Sequence, residues 1–188
     1  PIDYSMIGRH QNDSLGFTSQ SGRTAVYEIV TKFGYKLSLA EAAELQPILK
    51  AASEKEGELS ADRVLDIFRE HFINVNGHLI FNNIEVIPDE NRFIFHFKKD
   101  GEAIVKSVTA EGPVEAALIL MREIGMPVEL VKYRQLVVPE KDKLWAGRGL
   151  SRIVLKVNDK EVEGRGVSSD TLKANMRAIF CGVNLLYK

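Results

Sequence analysis

The sequence predicts an α+β fold, a small three-helix subdomain followed by two pseudo-symmetric βββα units, and three observations predict it. Apolar residues up to Phe72 recur at helical spacing, from His78 they alternate, and a strand-strand-strand-helix pattern occurs twice. The first copy closes with GEAIVKSVTAEGPVEAALILMREIG and the second with DKEVEGRGVSSDTLKANMRAIFCGV. Aligning Val108 with Val167 gives a period of 59 residues, the mark of one supersecondary unit duplicated. A single unit leaves a sheet face exposed and buries too little to stand alone, so the two copies are expected to pack about a pseudo-twofold axis. The division falls at residue 76, with a helical linker over 1–76 and the duplicated domain over 77–188.

The elements follow in order. Residues 1–19, with Gly8 and Gly16 around Arg9, His10, Gln11, Asn12 and Asp13, read as an exposed loop. Ser21 is placed to cap a helix whose inward positions are Val26, Ile29, Val30 and Phe33, with Gly34 ending it. Ser38 and Glu41 form a capping box for a second helix burying Ala42, Leu45, Leu49 and Ala52, which Pro47 either kinks or splits. Beyond Gly57, Ser60 opens a third helix carrying Val64, Leu65, Phe68 and Phe72, and Asn74 to Gly77 is the linker.

In the first βββα copy, HLIFNNIEVI turns at Asp89 to Asn91 into a strand whose Phe93, Phe95 and Phe97 share a face. A third strand runs over about Ala103 to Thr109, and Pro113 starts a helix with Val114, Ala117, Leu118, Met121 and Ile124 on one stripe. The second copy repeats this with VELVKYRQLVV, RIVLKVN and EVEGRGV. Its helix turns Leu172, Met176, Ile179, Phe180, Val183 and Tyr187 inward. Between its first two strands, PEKDKLWAGRGLS reads as a surface loop, with Trp145 as an alternative anchor for a partner subunit.

Composition excludes several functions. Lys and Arg number 25 against 26 Asp and Glu, so the net charge of −1 offers no footprint for nucleic acid or an acidic membrane. The single Cys181 sits within the last helical pattern and suits a buried apolar role in a reducing, cytoplasmic setting. The four histidines show no metal-binding spacing, and no nucleophile elbow, Walker loop or dinucleotide fingerprint is present, so no catalytic residues or cofactor are assigned. The pairs Gly147 with Gly149 and Gly164 with Gly166 are too short for phosphate binding and are read as strand ends and tight turns. Two strand-to-helix turns remain, AEGP at Ala110 to Pro113 and SSD at Ser168 to Asp170. Backbone N–H groups converge at such helix starts and favour an anion, while plain capping by Ser169 or Asp170 explains the second equally well.

The segments PIDYSMIGR with TSQSGRTAVYEIVTKFGYKLS, AEGPVEAAL, VELVKYR and GRGVSSDTLKANMRAI together resemble the 2-isopropylmalate synthases and, more distantly, the citramalate synthases. The resemblance covers nearly the whole chain. It implies linker subdomains followed by a leucine-sensing domain of two βββα units that dimerises. The catalytic barrel, its divalent metal and its acetyl-CoA and 2-oxoisovalerate sites would lie upstream, leaving this part inactive alone. It further implies an effector pocket between the two regulatory domains of a homodimer. Gly112, Pro113, Val114 and Glu115 would form one helix start, Leu130, Tyr133 and Val137 the strand wall, and Val167, Ser168, Ser169 and Asp170 the closing edge. Two departures stand out: Gln11 replaces a linker tyrosine of some members, and Glu115 replaces a common aspartate. The alternatives are an isoleucine sensor of a citramalate synthase and a ligand-free dimerisation scaffold.

Overall fold

The computed structural model describes residues 16–188, so most of the loop expected over 1–19, with Arg9, His10 and Gln11, lies outside the described residues. The described residues form two compact units, 16–71 with Pro139–Asp142, and Phe72–Val138 with Lys143–Lys188.

The first unit holds α1 (Arg23–Lys32), α2 (Leu39–Glu56) and most of α3 (Ala61–Phe72). The expected capping box opens α2: the Ser38 hydroxyl accepts from Glu41 N–H and the Glu41 carboxylate accepts from Ser38 N–H, both at 3.0 Å. The helix runs unbroken through Pro47. At α1 the expectation needs correcting. Gly22, not Ser21, is the cap residue and no side chain caps the helix, because the Ser21 hydroxyl turns back to accept from Thr18 N–H at 3.1 Å. Phe17 and Leu59 exchange two backbone bonds of 2.8 Å, and the Tyr35 and Phe68 rings pack 5.3 Å apart in the core.

The stretch expected to be a plain surface loop also needs correcting, at Asp142. Its side chain is fully buried, accepting from Arg69 Nη1 at 3.1 Å and from the Tyr35 hydroxyl. Leu144 is exposed as expected, and Trp145 is half-buried.

The second unit contains two three-stranded antiparallel sheets. Strands β1 (Leu79–Ile87), β2 (Arg92–Lys99) and β3 (Glu102–Thr109) precede α4 (Pro113–Glu123); β4 (Glu129–Val137), β5 (Gly149–Val157) and β6 (Lys160–Ser168) precede α5 (Thr171–Leu186). The α+β class and the duplicated βββα order are therefore as the sequence predicts. Asn91, Asp100 and Asn158 take left-handed φ of 49°, 50° and 52° in the strand turns, a conformation Asn and Asp tolerate. Phe93, Phe95 and Phe97 all face the core, and Phe180 of α5 packs edge-on against Phe81 and Phe97 at 5.2 and 5.9 Å. The second copy's helix thus covers the first copy's sheet, which neither copy could do alone. Cys181 is fully buried, its thiol 3.6 Å from the Phe72 carbonyl.

Gly164 and Gly166 are not at a strand end or turn but within β6. A Cβ on Gly166 would lie 2.1 Å from the Ala174 carbonyl oxygen, and one on Gly164 would lie 2.1 Å from that of Ala178. The absence of side chains lets α5 rest its backbone on the strand.

Asn184, buried in α5, fixes the entry to β1. Its Oδ1 accepts from Leu79 N–H, and its Nδ2 donates to the Val75 and Leu79 carbonyls, each at 2.9 Å. Asn184→Ala takes away the partner of the Leu79 N–H and of the Val75 carbonyl, while the Leu79 carbonyl keeps the Gly77 N–H at 3.3 Å, and is expected to cost about 2 kcal/mol, read as a lower urea midpoint at unchanged slope. A loss under about 1 kcal/mol would mean that water replaces the amide.

Candidate functional site

Each β-sheet begins with a strand carrying a bulge, and the bulge decides which side chains share a face. In β1 the register shifts between Phe81 and Asn83, so Phe81 and Ile84 pair with Phe97 and Phe95 and both face the core. In β4 it shifts between Leu130 and Lys132, so Leu130, Tyr133, Gln135 and Val137 pair with Leu155, Ile153, Ser151 and Gly149. One extra residue thus brings Leu130 and Tyr133, three apart, onto one side. Val137 joins them by ordinary alternation.

The two first strands differ in cover. Ile84 of β1 is buried and Phe81 packs against the core, whereas all nine residues of β4 are exposed. Leu130, Tyr133 and Val137 keep 38%, 42% and 66% of their surface accessible, leaving β4 apolar and open where its counterpart is closed. On the reverse face Leu136 is exposed as well, and so is Val131 in the bulge.

The two helix starts also differ. No side chain caps α4: its cap residue is Gly112, Pro113 follows, and the Glu115 carboxylate reaches back to accept from Glu111 N–H at 3.2 Å. Its first-turn N–H groups remain donors for an incoming anion. At α5 the cap is Asp170, whose Oδ1 accepts from Lys173 N–H at 3.2 Å, while its own N–H donates to the Ser168 hydroxyl at 3.1 Å. Both starts thus carry a carboxylate, but only at α5 does it occupy a first-turn N–H, so a second one is more disfavoured there. Ser169 is exposed and makes no cap.

Ser168 pairs with Gly149 on the same side as Val137, but Val167 pairs with Leu150 and lies on the opposite face, 1% exposed. Its backbone is held by residues absent from the sequence-derived site. Asn74 accepts from Val167 N–H at 2.9 Å and donates to its carbonyl at 3.2 Å, and Arg177 donates to that carbonyl at 2.8 Å. Asn74 has φ of 53°, and its place in a turn-rich linker was the available signal. Among the described residues no three His, Cys, Asp or Glu side chains come together as a metal would require.

A family model described as the LeuA allosteric (dimerisation) domain matches residues 58–187. The chain belongs to this family. The chain is similar to 2-isopropylmalate synthase 2 of Leptospira interrogans, 48% identical over 56 residues that make up 30% of this chain and 13% of that protein. It is also similar to the 2-isopropylmalate synthases of Kocuria rhizophila and Helicobacter hepaticus, 26% and 25% identical over 147 and 149 residues. Those matches take in 72% of this chain and 25% and 27% of the two relatives. The chain therefore spans about a quarter of the length of these relatives. No helix among the described residues of the LeuA domain or the α1 to α3 unit is long and apolar enough to cross a membrane.

Proposed function

We propose that the chain is the linker and regulatory part of a 2-isopropylmalate synthase, binding leucine as a feedback inhibitor and pairing with a second copy of itself. The observation that carries this reading is the open apolar face of β4, set against the closed face of β1 in the other repeat. The leucine carboxylate sits on the start of α4 formed by Gly112, Pro113, Val114 and Glu115, and its side chain rests on Leu130, Tyr133 and Val137. Ser168, Ser169 and Asp170 close the site, with Val167 supporting them from behind. Gly112 suits its part because its backbone, with nothing within 4 Å of its Cβ position, admits a ligand closely.

The functional division lies at 76, with the helical linker carrying the signal to a catalytic barrel upstream in the parent enzyme. That barrel, with its divalent metal, condenses acetyl-CoA with 2-oxoisovalerate in the cytoplasm. Leucine lowers its activity by binding one quaternary arrangement better than another and so shifting the population.

Calorimetric titration of the chain with leucine, isoleucine, valine and lysine tests the reading. Leucine is expected to bind and to raise the melting temperature with concentration. Tyr133→Ala, at an exposed position, is expected to weaken binding about tenfold, the scale of one lost aromatic contact. No heat from any amino acid would remove the sensor role, and heat from isoleucine alone would assign a citramalate synthase. Exposure of all nine β4 residues also suits a ligand-free scaffold. Such a scaffold would sediment as a dimer indifferent to amino acids.

A further inference from the structure

The reverse face of the second sheet carries a row of cations that leucine binding, as proposed above, does not use. Register places Arg134 of β4, Arg152 of β5 and Arg165 of β6 directly opposite one another, so three guanidinium side chains stand abreast on one face. The neighbouring row is Lys132, Val154 and Glu163. On these two rows four cations meet one carboxylate. The carboxylates of Glu129 and Glu161 flank Lys156 two rows further on, about 13 Å along β5 from Arg152.

Glu163 is already shared. It accepts from Arg165 Nη2 at 2.7 Å and also pairs with Arg152 Nη2. Arg165 is 1% exposed, with its guanidinium 5.8 Å from the centre of the Phe72 ring. Arg152 is also mostly enclosed, with 16% of its side chain accessible, and its Nε is buried without a hydrogen-bond partner. Arg134 beside it is exposed.

Like charges directly opposite one another destabilise a sheet, and a buried charged donor without an acceptor adds to that cost. An anion that brings acceptor oxygens and negative charge relieves both. Guanidinium forks take oxygens in pairs, and a tetrahedral oxyanion presents oxygens toward two forks and a lysine together. We propose that this row is a binding site for a phosphate-class oxyanion, seated between Arg134 and Arg152 with Lys132 at its rim. The group is either free, as phosphate or pyrophosphate, or carried by a nucleotide. The site is independent of leucine binding and stands or falls separately from it.

The test is calorimetric titration of the 188-residue chain with phosphate, pyrophosphate and ADP, with ionic strength matched by sodium chloride. Saturable binding at one pyrophosphate per chain is expected, with a rise in melting temperature. ADP binding more tightly than pyrophosphate assigns the nucleotide source, and binding equally or more weakly assigns the free anion. Arg134→Ala leaves both Glu163 pairs in place and is expected to weaken binding about tenfold or more. Arg152→Lys keeps the charge beside Glu163 but removes the fork, and is expected to do the same. Absence of saturable binding at matched ionic strength, or native affinity in Arg134→Ala, overturns the proposal.

Discussion

Asp142→Ala is expected to destabilise the helical unit by about 3 kcal/mol, a large share of what holds a small folded unit together. The carboxylate is fully buried and receives the Arg69 guanidinium and the Tyr35 hydroxyl, two groups that are themselves 8% and 3% exposed. Removing it takes from the Arg69 cation its one fully buried carboxylate partner among the ion pairs described, a costly way to break such a pair. The Tyr35 hydroxyl loses its acceptor at the same time. The loss falls toward the lower end of the usual range because Arg69 also pairs with Asp66, whose side chain is half-exposed. Hydrogen exchange is expected to quicken in α1 to α3 and across residues 139–142, which belong to the same compact unit. Combining Asp142→Ala with Arg69→Met is expected to recover part of the loss, because no buried charge is then left behind and the Asp66 carboxylate, half-exposed, is solvated when Arg69 is gone. A loss below about 1 kcal/mol in the single variant would show that water reaches Arg69 when the carboxylate is gone.

Asp142 also shows where the sequence stops being readable. The capping box of Ser38 and Glu41 spans three residues and is local, so both of its bonds could be foreseen. The alternation of Phe93, Phe95 and Phe97 is equally local, and all three are buried. Asp142 meets partners 73 and 107 positions away, in a stretch whose composition is that of any polar loop. Asn74 and Asn184 act as stand-ins for strand backbone across 93 and 105 residues. No periodicity marks such contacts.

The candidate site divides in the same way. Helix starts at Gly112 and Asp170 follow from turn chemistry, but which of the two is already occupied depended on the Asp170 side-chain bond. Strict alternation would place Leu130 and Tyr133 on opposite faces of β4, and only the bulge brings them together. A bulge in a first strand has no fixed residue signature unless glycine forms it, and neither β1 nor β4 contains glycine. Leu130 and Tyr133 follow from setting an amino acid's side chain beside a helix start, Val137 from the family resemblance, and the register gives all three a common side. Val167 also entered through the resemblance, and its period-2 position turns it to the reverse face.

Gly166→Ala is expected to destabilise the second unit by about 3 kcal/mol or more, and Gly164→Ala by a similar amount. The added methyl would meet backbone rather than a movable side chain. At Gly166 it comes within 2.1 Å of the Ala174 oxygen and 2.3 Å of the Ala178 nitrogen; at Gly164 it comes within 2.1 Å of the Ala178 oxygen and 2.7 Å of the Gly182 nitrogen. Relief requires α5 to lift from β6. The helix also covers β5 and packs Phe180 against Phe81 and Phe97, so lifting it loosens both repeats. Gly182 tightens the constraint from the helix side, since a Cβ there would lie 2.8 Å from Leu155 Cδ1. That clash is with the end of a side chain, so Gly182→Ala is expected to cost less than either β6 substitution. Near-ultraviolet circular dichroism and urea denaturation of the three single variants read the order directly. If Gly182→Ala proved the most damaging of the three, close backbone packing of α5 on β6 would not be what these glycines are for.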